Sequence, residues 1–341
     1  MTEDKHTYTE DQAEKLLSQI RTYGSVKNKS LQALAGLLGI AASSLSSLMR
    51  REYSGDADRQ LRKIEEFLDR ETEREQRPSL QKFVETTVSK RIFSVLRKNH
   101  VHGTMGAVIG EAGVGKSRSF KEYAMRNENV IYMTAGGWKC TPAGVARAIA
   151  QAVAPEMPRN ASTADRCETI IDKLAGTSKL IIIDQAHQIT ERGHELIQNL
   201  WDHLNPSDTE RRVGIVYGCT RRFWADIHSP DSHYWFEQLT SRMDAGVNYA
   251  IGASPFKMID IDAICEKEHL AYIPSADVVQ ELLRLANSTS SDVKRPSGLR
   301  SALANLEHVQ ALMVAKRVAP GGKIEMKDLQ QAQTLMLRSA A

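Results

Sequence analysis

The stretch Gly103–Phe120, GTMGAVIGEAGVGKSRSF, decides how the chain is read. GTMGAVIG is a short apolar run of strand type, and SRSFKEYAMRN, which starts at Ser117, has helical character. Between them GEAGVGKS, Gly110–Ser117, satisfies G-x-x-x-x-G-K-[ST] at every fixed position. The strand–loop–helix context is the one this pattern requires. Its glycines let backbone N–H groups converge on phosphate oxygens, and the following helix turns the positive end of its dipole toward them. Gly110, Gly113, Val114, Gly115, Lys116, Ser117 and Arg118 are therefore the expected nucleotide contacts. Lys116 is expected to reach the β- and γ-phosphates, and the Ser117 hydroxyl to ligate a magnesium ion (Mg2+).

A second stretch, LIIIDQAH, Leu180–His187, ends a buried-strand pattern on Asp184. A carboxylate there is expected to hold the water shell of the metal. The next residue, where a glutamate usually prepares water for attack, is Gln185. A glutamine cannot take a proton, although it can orient a water. Three readings follow: a naturally weak hydrolase, a glutamine introduced to trap the ATP state, or a base elsewhere, with His187 the nearby candidate.

Around these motifs, helical patterns alternate with the apolar runs NVIYMTA, KLIIID, RVGIVYG and, more weakly, GVNYAIG. Such alternation predicts an α/β fold, a parallel sheet covered by helices on both faces. Residues 101–252 are expected to form this core, and residues 253–341, helical throughout, a C-terminal domain. The charged run DRETEREQRPSLQKF, with Pro78, marks a linker and pre-core segment over residues 71–100. With 341 residues, 41% hydrophobic, the chain has room for two or three domains. The net charge of +3 permits nucleic-acid binding without arguing for it. Four widely spaced cysteines, with no C-x-x-C pair, are read as reduced thiols. The polar start MTEDKHTYTEDQAEKLL is no signal peptide, and no apolar run approaches the ~18 residues of a membrane span, so a cytoplasmic protein is expected.

Residues 1–70 are expected to form a helix-turn-helix domain. In LQALAGLLGIAASSLSSLMRREY, Ala35 is small where two helices meet, and Gly39 suits a turn with positive φ. Leu34, Ile40, Leu45 and Leu48 supply the core. Ser43, Ser44, Ser47 and Arg50 would then face DNA, offering phosphate contacts and weak base readout rather than bidentate recognition.

Taken together, the chain resembles the AAA+ transposition proteins of the phage Mu B type, with the related TnsC regulators, over nearly its whole length. GEAGVGKS and LIIIDQAH occupy the Walker A and Walker B positions. KFVETTVSKRIFSVL is similar to the segment preceding the ATPase core of that family, and the N-terminal block resembles the Mu B type. The resemblance implies an AAA+ P-loop NTPase core with a C-terminal helical lid. IVYGCTRRFW looks like the sensor 1 segment, with Cys219 or Thr220 where asparagine is frequent. LTSRM resembles the arginine-finger segment, pointing to Arg242, and RPSGLRSAL the sensor 2 segment, pointing to Arg300. AGGWKCTPAGV and RNASTADR lie where TnsC proteins contact the DNA backbone, which implies Lys139, Arg159, Ser162 and Thr163. The implied function is ATP-dependent, largely sequence-nonspecific binding to duplex DNA as a filament or ring that delivers the target to a DDE-type transposase. Two other classes fit the same motifs: an ATP-gated helix-turn-helix repressor, and a helicase loader of the IstB and DnaC kind.

Overall fold

A computed structural model describes residues 8–26, 29–76, 83–206, 210–266, 270–288 and 298–338. The expected linker proline, Pro78, and residues 295–297 of the RPSGLRSAL segment lie outside them. The chain divides into two compact units, Met1–Ser79 and Leu80–Ala341.

The first unit contains α1 (Glu10–Val26), α2 (Leu31–Leu38), α3 (Ala42–Met49) and α4 (Ala57–Gln76). Ser30 starts α2 by accepting from the Ala33 N–H at 3.2 Å. Gly39 ends it at φ 61°, the left-handed conformation that lacks a Cβ penalty. The turn is closed from outside by the Lys63 ammonium on the Gly39 carbonyl at 3.0 Å. Helices α2 and α3 meet at a bend of 106°, within the helix-turn-helix range. Leu34, Ala35, Ile40, Leu45 and Leu48 are all buried there, as the spacing demanded. Ser43 and Arg50 are exposed, while Ser44 and Ser47 are half-buried. The charged run expected as a linker begins inside α4. Leu61, Ile64 and Phe67 form a buried helical stripe, and Tyr23 donates to Glu71 at 2.9 Å. Charged composition alone does not distinguish a helix from a linker.

The second unit begins with α5 (Thr87–His102), started by a reciprocal capping box between Thr86 and Ser89. Then come β1 (Met105–Ile109), α6 (Lys116–Arg126), β2 (Val130–Thr134), α7 (Pro142–Val153), α8 (Thr163–Leu174), β3 (Leu180–Asp184) and α9 (Glu191–Leu204). The layer closes with β4 (Gly214–Cys219), α10 (Arg221–Ile227), α11 (His233–Asp244) and β5 (Tyr249–Ala250). Every pairing is parallel, in the order β2-β3-β4-β1-β5. All five strand runs picked out in the sequence are present. Residues of β1, β3 and β4 are buried throughout, and alternate ones serve opposite faces. Met105, Ile181 and Tyr217 join the cluster under α7, α8 and α9. Val108, Ile182 and Val216 join the other, with Ile92 and Leu96 of α5 and Phe120 of α6.

That second cluster continues without a break into the C-terminal helices. These are α12 (Met258–Cys265), α13 (Ala276–Ala286), α14 (Leu299–Ala315) and α15 (Met326–Arg338), with a small parallel pair, β6 (Ile273–Pro274) and β7 (Lys323–Ile324). All four cysteines are free thiols. No single helix among the described residues is long and apolar enough to cross a membrane.

One buried polar group makes this core sensitive to acid. His194 on α9 is 2% exposed. Its Nδ1 lies 3.2 Å from the Tyr217 hydroxyl, and its ring stacks on Phe223. Burial pushes the imidazole down to about 4, so the unfolded chain takes up a proton that the folded core refuses. Stability therefore falls as pH drops from the ordinary histidine value of about 6.5 toward 4. Between about pH 7 and pH 5 the loss from this group is about 2 kcal/mol. Urea denaturation at the two pH values is expected to show a loss about 2 kcal/mol smaller in His194→Gln than in the parent, because the variant has no titrating group at this position.

Candidate functional site

Strand β4 stands between β1 and β3, with Ile109 in register with Cys219 and Ile183 with Tyr217. The carboxyl ends of these three strands therefore open side by side, where ligands bind in open α/β sheets. The loop after β1, the end of β3 and Thr220 after β4 line one cleft of about 730 Å³. Of the nucleotide contacts expected from the sequence, Gly113, Val114, Gly115, Lys116, Ser117, Arg118, Thr220 and Arg300 line it, together with Asp184 and Gln185. Gly110 stands just behind, its carbonyl accepting from Lys116.

Lys116 opens α6. Its ammonium donates to the carbonyls of Gly110 at 2.6 Å and Glu111 at 2.9 Å. Among the described residues no carboxylate forms an ion pair with it. Burial lowers its pKa, while the Asp184 charge pulls the other way from greater distance. A partly buried cation solvated by carbonyls alone, beside a helix start whose residue Gly115 supplies no side-chain cap, is a donor set suited to a polyphosphate.

Asp184 is 1% exposed. Its Oδ1 accepts from the Gln185 N–H at 2.9 Å and its Oδ2 from the Tyr132 hydroxyl at 3.0 Å. Thr134 in turn donates to Tyr132 at 2.9 Å. Burial, with the Asp184 charge beside it, pushes the Tyr132 phenol up to about 12, so it remains a donor. The sequence did not single out Tyr132 or Thr134. Their signal was parity: they alternate on β2 with the buried Ile131 and Met133, and β2 pairs with β3 in register, Thr134 against Asp184.

Gln185 holds φ 56° and ψ 36°, left-handed for a residue with a side chain. His187, also in the cleft wall, has its pKa lowered by burial first and by Lys116 next. The sensor 1 alternatives separate clearly. The Cys219 thiol is fully buried and pushed up to about 12 by that burial. Thr220 faces the cleft. Its Oγ1 accepts from the Phe223 N–H at 3.3 Å as the cap of α10, leaving the hydroxyl proton available to a ligand.

The C-terminal helices close the opposite wall. Arg300 donates its backbone N–H to the Gly113 carbonyl at 3.2 Å. A Cβ on Gly298, at φ 76°, would sit 3.2 Å from the Gly113 carbonyl group. Only glycine allows so close an approach. Phe83, Val84, Ile264, Leu299 and Leu303 supply an apolar lining. The Phe83–Thr86 part of that wall is tied down by Asp260 of α12, which accepts from the Thr87 N–H and hydroxyl at 2.6 and 2.8 Å.

The other expected residues lie away from the cleft. Arg242 on α11 forms a bidentate pair with Asp202 of α9 at 2.7 and 2.8 Å. Lys139, half-buried, ends a 3₁₀ turn, Gly137–Lys139, beside Trp138, which is 77% exposed. Arg159 is exposed. The Ser162 hydroxyl caps α8, accepting from the Asp165 N–H at 3.1 Å, and Thr163 is the first residue of that helix.

A family model described as an AAA domain matches residues 99–224. The chain is 24% identical over 319 residues to the ATP-dependent target DNA activator B of Escherichia phage Mu, covering 92% of each protein. The chain thus contains an AAA domain and has homologues among the Mu B-type target DNA activators. A second Mu B-type relative, the Mu-like prophage FluMu DNA transposition protein B of Haemophilus influenzae, is 26% identical over 59% of this chain and 68% of its own length. Among solved structures, Cdc6p from Pyrobaculum aerophilum shares the fold, with a TM-score of 0.52 and 14% identity over 72% of this chain and 65% of that one. Lys116→Ala is expected to weaken nucleotide binding at least about 100-fold by removing charge-assisted hydrogen bonds. Titration with a fluorescent nucleotide measures the loss, and an unchanged thermal midpoint without nucleotide shows that the variant is folded.

Proposed function

We propose that the chain binds ATP and Mg2+ in this cleft, assembles on duplex DNA as a filament or ring, and delivers that DNA to a DDE-type transposase, which it activates. The observation that carries this is the composition of the cleft. It joins the phosphate loop, a buried acidic strand end and a lid arginine from one chain, in a protein matching an ATP-dependent target DNA activator over 92% of its length.

Lys116 and the loop amides would hold the phosphates, with Arg300 closing from the lid. Ser117 and Asp184 would hold the metal, which when bound supplies charge neutralisation at the phosphates. Arg242 lies outside the cleft lining, and its role would be in a neighbouring subunit's site. To take it, Arg242 exchanges the Asp202 carboxylate for a phosphate oxygen, one anion for another. ATP then acts as a ligand of the subunit interface and stabilises only the assembled state.

Hydrolysis is slow in this account, because Gln185 orients water without accepting its proton. His187, kept neutral near pH 7 by its lowered pKa, is the group able to accept it. Gln185→Glu is expected to raise the turnover number at least about tenfold by restoring a base, read by phosphate release at saturating ATP. An unchanged rate assigns the base to another group, His187 first.

Lys139, Arg159, Ser162 and Thr163 would meet the DNA backbone, with exposed Ser43, half-buried Ser44 and Ser47 of α3, and the adjoining Arg50 adding contacts from the first unit. Phosphate contacts position without reading sequence. The 106° helix-turn-helix bend favours a second possibility, an ATP-gated repressor. Against it, α3 contains no basic residue, and the adjoining Arg50 and Arg51 pair with Glu52 and Glu14. Electron microscopy of the full chain with long duplex DNA decides. Assemblies on DNA of unrelated sequences that need ATP, and that Lys116→Ala does not form, are expected. A protein that stays monomeric with ATP, magnesium and DNA overturns the proposal, and ATP-gated binding confined to one sequence favours the repressor.

A further inference from the structure

We propose that Gln188 is a positioning residue for ATP hydrolysis and that it acts by aiming the side chain of Gln185. This rests on Gln185 orienting the attacking water, as set out under the proposed function.

An amide side chain presents two different ends. Only the carbonyl oxygen, Oε1, can accept a hydrogen bond from the attacking water; the amino end, Nε2, can only donate one to the water oxygen. A glutamine free to rotate would offer the useful end part of the time. Gln188 removes that freedom. Its Nε2 donates to Gln185 Oε1 at 2.6 Å. A carbonyl oxygen has two lone pairs, so one holds Gln188 and the other remains for the water. The same residue also grips the Gln185 backbone, donating its N–H to the Gln185 carbonyl at 3.0 Å. That bond closes the short 3₁₀ turn Ala186–Gln188. It helps to keep Gln185 in its left-handed conformation, a state that costs on the order of 1 kcal/mol and persists where surroundings enforce it.

Gln188 Oε1 occupies the space beside Gly136, where an added Cβ would come within 2.7 Å of that oxygen. Gly136 has φ 136° and ψ 156°, a conformation open essentially to glycine alone. The turn that Gly136 begins is pinned beyond it, because Thr190 donates both its N–H and its hydroxyl to the Cys140 carbonyl, at 3.0 and 3.2 Å. The amide of Gln188 thus spans from a fixed turn to the water-orienting residue. A glutamate at 185 would have no such need, since its two oxygens are equivalent.

The test uses the full chain at saturating ATP with duplex DNA, following phosphate release for the parent, Gln188→Ala, Gln188→Met, Gln185→Ala and the double variant Gln185→Ala/Gln188→Ala. Gln188→Met keeps the length of the side chain and removes the donor, so packing and donation are separated. Both Gln188 variants are expected to lower kcat about five- to tenfold, the worth of one hydrogen bond, with KM for ATP unchanged. In the Gln185→Ala background, removing Gln188 should cost nothing further. The proposal is overturned if Gln185→Ala slows turnover while the Gln188 variants do not. It is equally overturned if Gln188→Ala costs as much with Gln185 absent as with it present. Unchanged turnover in Gln185→Ala itself is a different failure: it removes the water-orienting role on which the proposal stands.

Discussion

The position of β4 between β1 and β3 is the constraint on which the site depends. Hydrogen-bonded register across these strands brings the end of β1, which leads to Lys116, level with Thr220 and one strand from Asp184. Among the described residues no hydrogen bond or ion pair given for Lys116 reaches Asp184. The sheet ladder sets their separation, and its rigidity comes from three strands buried on both faces. The polar groups at that edge are then satisfied one by one. Asp184 has Tyr132 and the Gln185 amide, and Lys116 has two carbonyls. Each carboxylate oxygen accepts one hydrogen bond and keeps a lone pair, and the cation keeps donor capacity for an anion.

The second dependence is the approach of the lid. A single apolar cluster runs from the sheet face through α5 and α6 into α12–α15, so the lid is part of the same core rather than an appended module. Its contact with the phosphate loop is nonetheless a point contact, Gly298 and the Arg300 N–H on Gly113. A nucleotide held between loop and lid would strengthen that point.

Much of this was legible in the residues. The five strand runs, the phosphate loop, Asp184 and the turn glycine Gly39 have local causes: apolar periodicity, a fixed-spacing motif, and a backbone conformation that only glycine takes freely. Residues 71–76, read as the start of a linker, continue α4, because composition gives solvation, not conformation. The Tyr23–Glu71 bond ties that part of α4 to α1. Arg242 shows the opposite limit. Its motif suggested a neighbour's site, while the folded chain engages it with Asp202, forty residues away in sequence.

The sequence by itself determined that the chain has a phosphate loop, strands alternating with helices and a tight turn between α2 and α3, because each follows from patterns among residues a few positions apart. Tertiary structure alone decided that Tyr132 and Thr134 support Asp184, that Thr220 rather than Cys219 faces the cleft, and that Asp260 anchors the Phe83–Thr86 wall. Each of those choices depends on which strands are neighbours and on which side of a strand a residue falls. Such relations are set by the packing of distant segments, and no local pattern encodes them.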